Sequence, residues 1–202
     1  MINMLKLILA VFPVILLPQS GFDIAEMVHN RYMPKDLTNH ARMTLTDSKG
    51  NSRNQAMVIK SVDKNKKQII WFLEPRDIRG ISFLKINHQD KNDEMRMWLP
   101  AFKKVRRISA KKKGDSFMGS DLSYEDLSMR DLSNFDYALL QSDIIQNTEC
   151  YVIETTPKPK LISSYQKHIS WIDKTKFIIL REHSYNLNGE LEKKNCLLYT
   201  SD

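Results

Sequence analysis

Residues 177–200 read Phe177-Ile178-Ile179-Leu180-Arg181-Glu182-His183-Ser184-Tyr185-Asn186-Leu187-Asn188-Gly189-Glu190-Leu191-Glu192-Lys193-Lys194-Asn195-Cys196-Leu197-Leu198-Tyr199-Thr200. Two β-prone runs flank Asn188-Gly189, a dipeptide favoured where both central residues of a type I′ turn need positive φ. The spacing predicts a hairpin of 177–187 with 191–200, setting Leu180 opposite Leu197, Ile179 opposite Leu198 and Ile178 opposite Tyr199. Apolar pairs of both parities imply burial on both sides at this end.

Working back from the hairpin, the same period recurs. Residues 39–46 and 55–62 flank the turn Ser48-Lys49-Gly50-Asn51. Residues 68–73 hold Ile69, Ile70, Trp71 and Phe72 and are closed by Glu74-Pro75, because proline cannot continue a ladder. Residues 80–87, 94–99 and 104–110 follow, and after an interruption so do 135–141, 149–156 and 165–172. Short polar connections make consecutive strands antiparallel neighbours. The fold class is mainly β (α+β), with about ten or eleven antiparallel strands and about three short helices. Phe22, Ala25, Val28, His29 and Tyr32 fall at helical spacing before Pro34. Residues 111–133 break the rhythm. There Phe117, Met118, Leu122, Tyr124, Leu127, Met129 and Leu132 suit irregular helical turns laid on the sheet. Ser120 or Asp121 is placed to cap such a turn, and Glu125 and Asp126 to pair with arginines.

Length and composition set the class. The 202 residues, 42% hydrophobic and 27% charged, suit one domain over 22–202. Residues 1–21 have the plan of a signal peptide: Lys6, an apolar run over 7–17 too short to span a bilayer, then Pro18-Gln19-Ser20-Gly21. Export to the periplasm is the expectation, with no cysteine near the break to carry a lipid. The net charge of +7, or +6 without Lys6, favours anionic partners, and the exported location points away from nucleic acid. Cys150 and Cys196 lie on strands separated by two others, about 14 Å apart at about 4.8 Å per strand. A disulfide needs Cα atoms within about 7 Å, so two free and mostly buried thiols are expected.

Alternation is incomplete in an informative way. Residues 69–73 and 81–86 carry large apolar side chains on both parities, and 94–99 sets Met95, Met97 and Leu99 against Arg96 and Trp98. A sheet of this many strands must curl or cover its inner face, and few helices are available as cover. Part of that apolar face is therefore expected to await a ligand. Four of the ten methionines, Met95, Met97, Met118 and Met129, add adaptable surface suited to acyl chains.

Trp98-Leu99-Pro100-Ala101-Phe102-Lys103-Lys104-Val105-Arg106-Arg107-Ile108, followed by Phe117-Met118-Gly119-Ser120-Asp121-Leu122-Ser123-Tyr124-Glu125-Asp126-Leu127, resembles paired blocks of the outer-membrane lipoprotein-sorting proteins, a LolA/LolB-like superfamily. The resemblance spans roughly 71–199 and includes Glu149-Cys150-Tyr151-Val152-Ile153 and Trp171-Ile172-Asp173. It implies an unclosed, strongly curved β-barrel with short helices over a concave apolar face. It also implies a monomeric periplasmic carrier of lipid or acylated lipoprotein, with transient membrane contact and an inner-membrane RND-type exporter as partner. Candidate lipid contacts are Trp71, Phe83, Met95, Met97, Trp98, Leu99, Phe117, Met118 and Tyr124. Candidate head-group or partner contacts are Lys103, Lys104, Arg106 and Arg107, which with Lys111, Lys112 and Lys113 place positive charge beside the apolar loop.

Two other classes stay in view. The acids Asp115, Asp121, Glu125, Asp126 and Asp131 would suit acid/base chemistry. No nucleophile-elbow, zinc-protease or phosphate-loop motif accompanies them, so no catalytic residue is assigned. The five histidines lack metal-ligand spacing, and neither metal nor cofactor is expected. A non-transporting envelope lipid sensor, or an accessory module of an exporter, uses the same sheet and is the alternative.

Overall fold

The computed structural model describes residues 20–88 and 93–196. The pairs to Leu197, Leu198 and Tyr199 and residues 1–19 of the expected signal peptide lie outside them, while its last two residues, Ser20 and Gly21, open the first helix. Helix α1 (Gly21–His29) starts on a capping box: Ser20 accepts from the Asp23 amide while Asp23 accepts from the Ser20 amide. It ends at Asn30, before the expected Tyr32.

Twelve strands follow. The first sheet is a meander of β1 (Leu37–Thr46), β2 (Ser52–Val62), β3 (Lys67–Glu74), β4 (Ser82–Ile86), β5 (Glu94–Leu99) and β6 (Lys104–Ile108). The second holds β7 (Phe135–Leu139), β8 (Asp143–Ile145), β9 (Thr148–Pro157), β10 (Tyr165–Asp173), β11 (Ile179–Asn186) and β12 (Leu191–Cys196). Its order is β12-β11-β10-β9-β7, with β8 also on β9. All pairings are antiparallel and the sheets do not close into a barrel. The strand missed in the sequence is β8, three residues long and too short to show a period.

The hairpin that anchored the reading forms, with a different turn. Gly189 has φ +80° but Asn188 is not in the positive-φ region, so the turn is not type I′. The Asn186 side-chain oxygen accepts from the Asn188 and Glu190 amides, both at 3.0 Å, and holds a three-residue loop closed by left-handed Gly189. This shifts the tip by one residue: Tyr185 faces Leu191. A bulge at Glu192 restores the expected register, in which Arg181 faces Cys196. Along the described part of β12 alternate residues are exposed, and the end where burial on both sides is expected lies outside the described residues. Cys196 is correspondingly exposed on this edge strand while Cys150 is buried, and both are free.

The inner faces of the two sheets differ in chemistry. On the first, Met57, Ile70, Phe72, Phe83, Met95, Met97 and Ile108 form one buried apolar cluster. On the second, Ile153 and Ile172 pack under Ile24 and Ala25 of α1, while His168, Ser170 and Ser184 make the adjoining surface polar. Helix α1 needs close approach to do this. A Cβ on Gly21 would lie 2.8 Å from the Ala138 carbonyl carbon and 2.9 Å from the Leu139 nitrogen, both backbone atoms of β7. Gly21→Ala should therefore lift the helix and cost about 1–3 kcal/mol, the range for overpacking. Urea denaturation checks this, and an unchanged midpoint would show that the contact is not tight.

Candidate functional site

Residues 109–131 cross from one sheet to the other, and their chemistry divides accordingly. Expected as helical turns, the segment has only the 3-10 turn Ala110–Lys112 and an isolated bridge, Ser116 to Ser123. Met118 and Gly119 both take positive φ, which ends any helix there. A Cβ at Gly114 would lie 2.2 Å from Ser164 Oγ and 3.2 Å from Ser164 Cβ, so a larger residue would push Ser164 aside where the segment passes the β9–β10 connection.

Towards the first sheet the segment presents Phe117 and Tyr124. Phe117 stands edge-on to Phe83 at 5.2 Å and to Tyr124 at 5.7 Å, and Tyr124 is 5.6 Å from Phe83. Met118, Leu122 and Leu127 pack around them. The apolar wall expected to await a ligand is thus covered by irregular chain rather than by helices. Lys85, only 1% exposed on this wall, donates from Nζ to the Leu127 carbonyl at 2.6 Å. Burial holds its pKa below the usual lysine value, with Asp93 opposing.

Towards the second sheet the segment is polar. Arg130 donates to both Glu182 oxygens at 2.6 and 2.7 Å and lies 3.2 Å from His168 Nδ1; Ser170 donates to Glu182 at 2.8 Å. Because arginine only donates, His168 Nδ1 accepts, which sets the neutral Nε2–H tautomer. Burial, with Arg130 adding to it, depresses His168 to about 4. Burial raises Glu182, but the Arg130 pair outweighs it and the carboxyl falls to about 2. A second knot joins Asp126 to Lys193 at 2.8 Å, to Tyr165 Oη at 2.9 Å, and to Ser123. Burial raises Asp126 as well, and these donors again bring it below the usual range. Asp126 and Glu125 were expected to meet arginines. Instead Asp126 takes Lys193, and Glu125 accepts from Ser163 Oγ and the Ser164 amide, because the segment faces β10–β12 here.

Between these two faces lies a cavity of about 600 Å³. The β2–β3 turn contributes Lys66, the β4–β5 connection Asn87, His88 and Asp93, the crossing segment Ser128 to Asp131, and the β9–β10 connection Lys160 to Ile162. Tyr165 and His168 form part of its wall.

Of the candidate lipid contacts, Phe83, Met95, Met97, Phe117 and Tyr124 come together in one cluster, with Leu99 and Met118 against it. Trp71 and Trp98 do not join them. Ile70 and Phe72 are buried on the inner face, so alternation turns Trp71 outward; Met97 does the same to Trp98, which is 37% exposed. Lys103, Lys104, Arg106 and Arg107 are exposed at and beside the edge strand β6. Sequence reading missed Arg130, His168, Tyr165, Glu182 and Lys193. A signal existed: His168 and Ser170 alternate with apolar residues on β10, and they pair with Ser184 and Glu182 on β11.

Both titrating groups of the Arg130 knot act with one sign. Glu182 stabilises fully above its ordinary pKa of 4.5, and that contribution fades as pH falls towards about 2. Neutral His168 costs more as pH falls from 6.5 to about 4, by about 3 kcal/mol at about 1.4 kcal/mol per pH unit. The urea midpoint should drop steadily over that interval, and His168→Gln should flatten the drop. A wild-type midpoint independent of pH there would contradict the network.

Among the described residues no group of three or more His, Cys, Asp or Glu could hold a metal, and no helix is long and apolar enough to cross a membrane. No curated protein matches the sequence. A family profile described as "-like: Uncharacterized protein" matches residues 64–197. A solved structure described as an outer membrane lipoprotein-sorting protein domain from Vibrio parahaemolyticus has a TM-score of 0.79 at 31% identity, over 85% of this chain and 74% of that one. A DUF1329 family protein from Desulfovibrio piger has the same TM-score and coverages at 29% identity. A LolA superfamily protein from Nitrosomonas europaea, at 19% identity and TM-score 0.62 with those coverages, shares the fold. On the identity and coverage of the first of these, the chain belongs to the outer membrane lipoprotein-sorting protein family.

Proposed function

We propose that the chain is a carrier of the cell envelope, binding lipid or the acyl groups of lipoproteins for delivery towards the outer membrane or to an RND-type exporter. The observation that carries the reading is the aromatic and methionine-rich wall of the first sheet, roofed by a segment without regular structure. Alkyl chains make the same contacts with Phe83, Met95, Met97 and Leu99 that Phe117, Met118 and Tyr124 make in this structure. Exchange of one apolar partner for another leaves the buried area nearly constant, so it needs little net free energy. The polar knots at Asp126 and Arg130 keep the segment attached to the second sheet while its aromatic part swings away.

The outer face of the first sheet supplies the contact with the bilayer. Trp71, Ser82, Trp98 and Val105 stand in register across β3–β6, with Phe102 70% exposed beside them. Lys103 and Arg107 border this stripe, and tryptophan beside lysine and arginine is the composition of an interfacial anchor. A chain that works in the periplasm, after loss of a leader ahead of the Ser20 cap, has such a surface available for loading and unloading.

Native mass spectrometry of the purified mature protein, followed by lipid extraction, should find an acyl lipid bound. The stripped protein should then move labelled lipid between two liposome populations. Absence of bound lipid together with no uptake from liposomes would defeat the carrier reading, and uptake without transfer would assign the chain to lipid sensing.

A further inference from the structure

We propose that β6 is the docking edge for an acidic polypeptide segment, which adds to the first sheet as a further extended strand. The inference goes beyond the carrier reading and does not rest on it. Charge is the first observation. From Met95 to Gly114 the chain holds eight lysines and arginines and no acid. Of these only Arg96 is ion-paired among the described residues, with Glu94 at 2.6 Å. Asp115 and Asp121 are the acids that follow on the crossing segment, and neither pairs with this group, so the balance is strongly positive. Lys103, Lys104, Arg106 and Arg107 are all exposed. The register sets Arg107 directly opposite Arg96. Like charges so placed are destabilising, and an anion laid along the edge relieves the repulsion.

Main-chain hydrogen bonding is the second. β6 has a single strand neighbour, β5, and among the described residues no backbone group of Lys104–Ile108 bonds to anything else. In an antiparallel pair every second residue turns its amide and carbonyl away from the partner, so β6 presents a row of alternating donors and acceptors. A second strand matches such a row. A phosphate head group only accepts, so a bilayer surface serves the amides and leaves the carbonyls without donors. The other long edges differ: β1 carries one lysine or arginine, Arg42, in ten residues, and β12 has Glu192 beside Lys193, which Asp126 already holds. Lysine and arginine on an edge keep neutral strands from pairing there, and also second copies of a chain with net charge +7. They admit an acidic strand.

The register also fixes the partner's pattern, because residues directly opposite each other share a face. Lys104 and Arg106 stand opposite Leu99 and Met97 on the concave side, and Val105 and Arg107 opposite Trp98 and Arg96 on the outer side. The added strand therefore needs acids beside Lys104, Arg106 and Arg107 and an apolar residue beside Val105, which is 59% exposed. Added antiparallel, as every pair in this sheet is, it reads acid-acid-apolar-acid.

Isothermal titration of the purified chain with the capped peptide Thr-Glu-Glu-Val-Glu-Thr tests this. The controls are its lysine counterpart, Thr-Lys-Lys-Val-Lys-Thr, and two versions of the acidic peptide N-methylated at alternate amides, one in each phase. The acidic peptide should bind about tenfold or more tighter than the lysine peptide. One N-methylated phase should bind like the parent and the other about tenfold or more weaker, because only alternate amides face β6. Combined Lys104→Glu and Arg106→Glu should invert the preference in favour of the lysine peptide, with the melting temperature as the check that the fold is kept. Equal binding of the parent and both N-methylated phases shows that charge alone holds the peptide and overturns strand addition. No preference for the acidic peptide overturns the proposal outright. If phosphatidylglycerol vesicles then bind, and bind more weakly to the double variant, the edge belongs to the membrane instead.

Discussion

The crossing segment is held on one side by charge and on the other by aromatic packing, and the two grips differ in how readily they let go. Arg130 with Glu182, and Asp126 with Lys193 and Tyr165, are desolvated and geometrically specific. Removing one partner strands a buried charge at about 3–5 kcal/mol. Phe117 and Tyr124 on the first sheet are held by contacts that any apolar surface of similar shape would replace. On the proposed carrier function, the asymmetry makes one half of the segment a fixed point and the other a replaceable roof.

Sheet chemistry follows from the same division. A first sheet with an apolar inner face must be covered, and six strands in a simple meander leave no helix of their own to do it. The second sheet satisfies half its inner face with α1 and half with the Arg130 knot. The cavity opens where neither solution reaches, bordered by loops of both sheets, and its walls accordingly mix lysines with carboxylates.

Much of the fold was legible because strand period, Pro75, Pro100 and the Asn188-Gly189 turn are local signals. Eleven of the twelve strands and the register of β11 with β12 were readable, and β8 was not because three residues carry no period. The exact turn escaped because the Asn186 side chain, two residues upstream, decides it. The site was half legible. Hydrophobic type found Phe83, Met95, Met97, Phe117 and Tyr124, whereas parity alone separates Trp71 and Trp98 from them. The ion pairs were invisible, because Arg130 and Glu182 lie 52 residues apart and meet only once the segment has crossed.

In the proposed carrier, cargo takes the place of the aromatic roof while the polar knots stay closed. Hydrogen exchange with and without bound acyl lipid measures this directly. The Phe117 and Tyr124 amides, bonded to the Leu122 and Asp115 carbonyls, should exchange faster in the loaded protein while β10 and β11 keep their protection. Lipid bound with undiminished protection at those two amides would contradict the account.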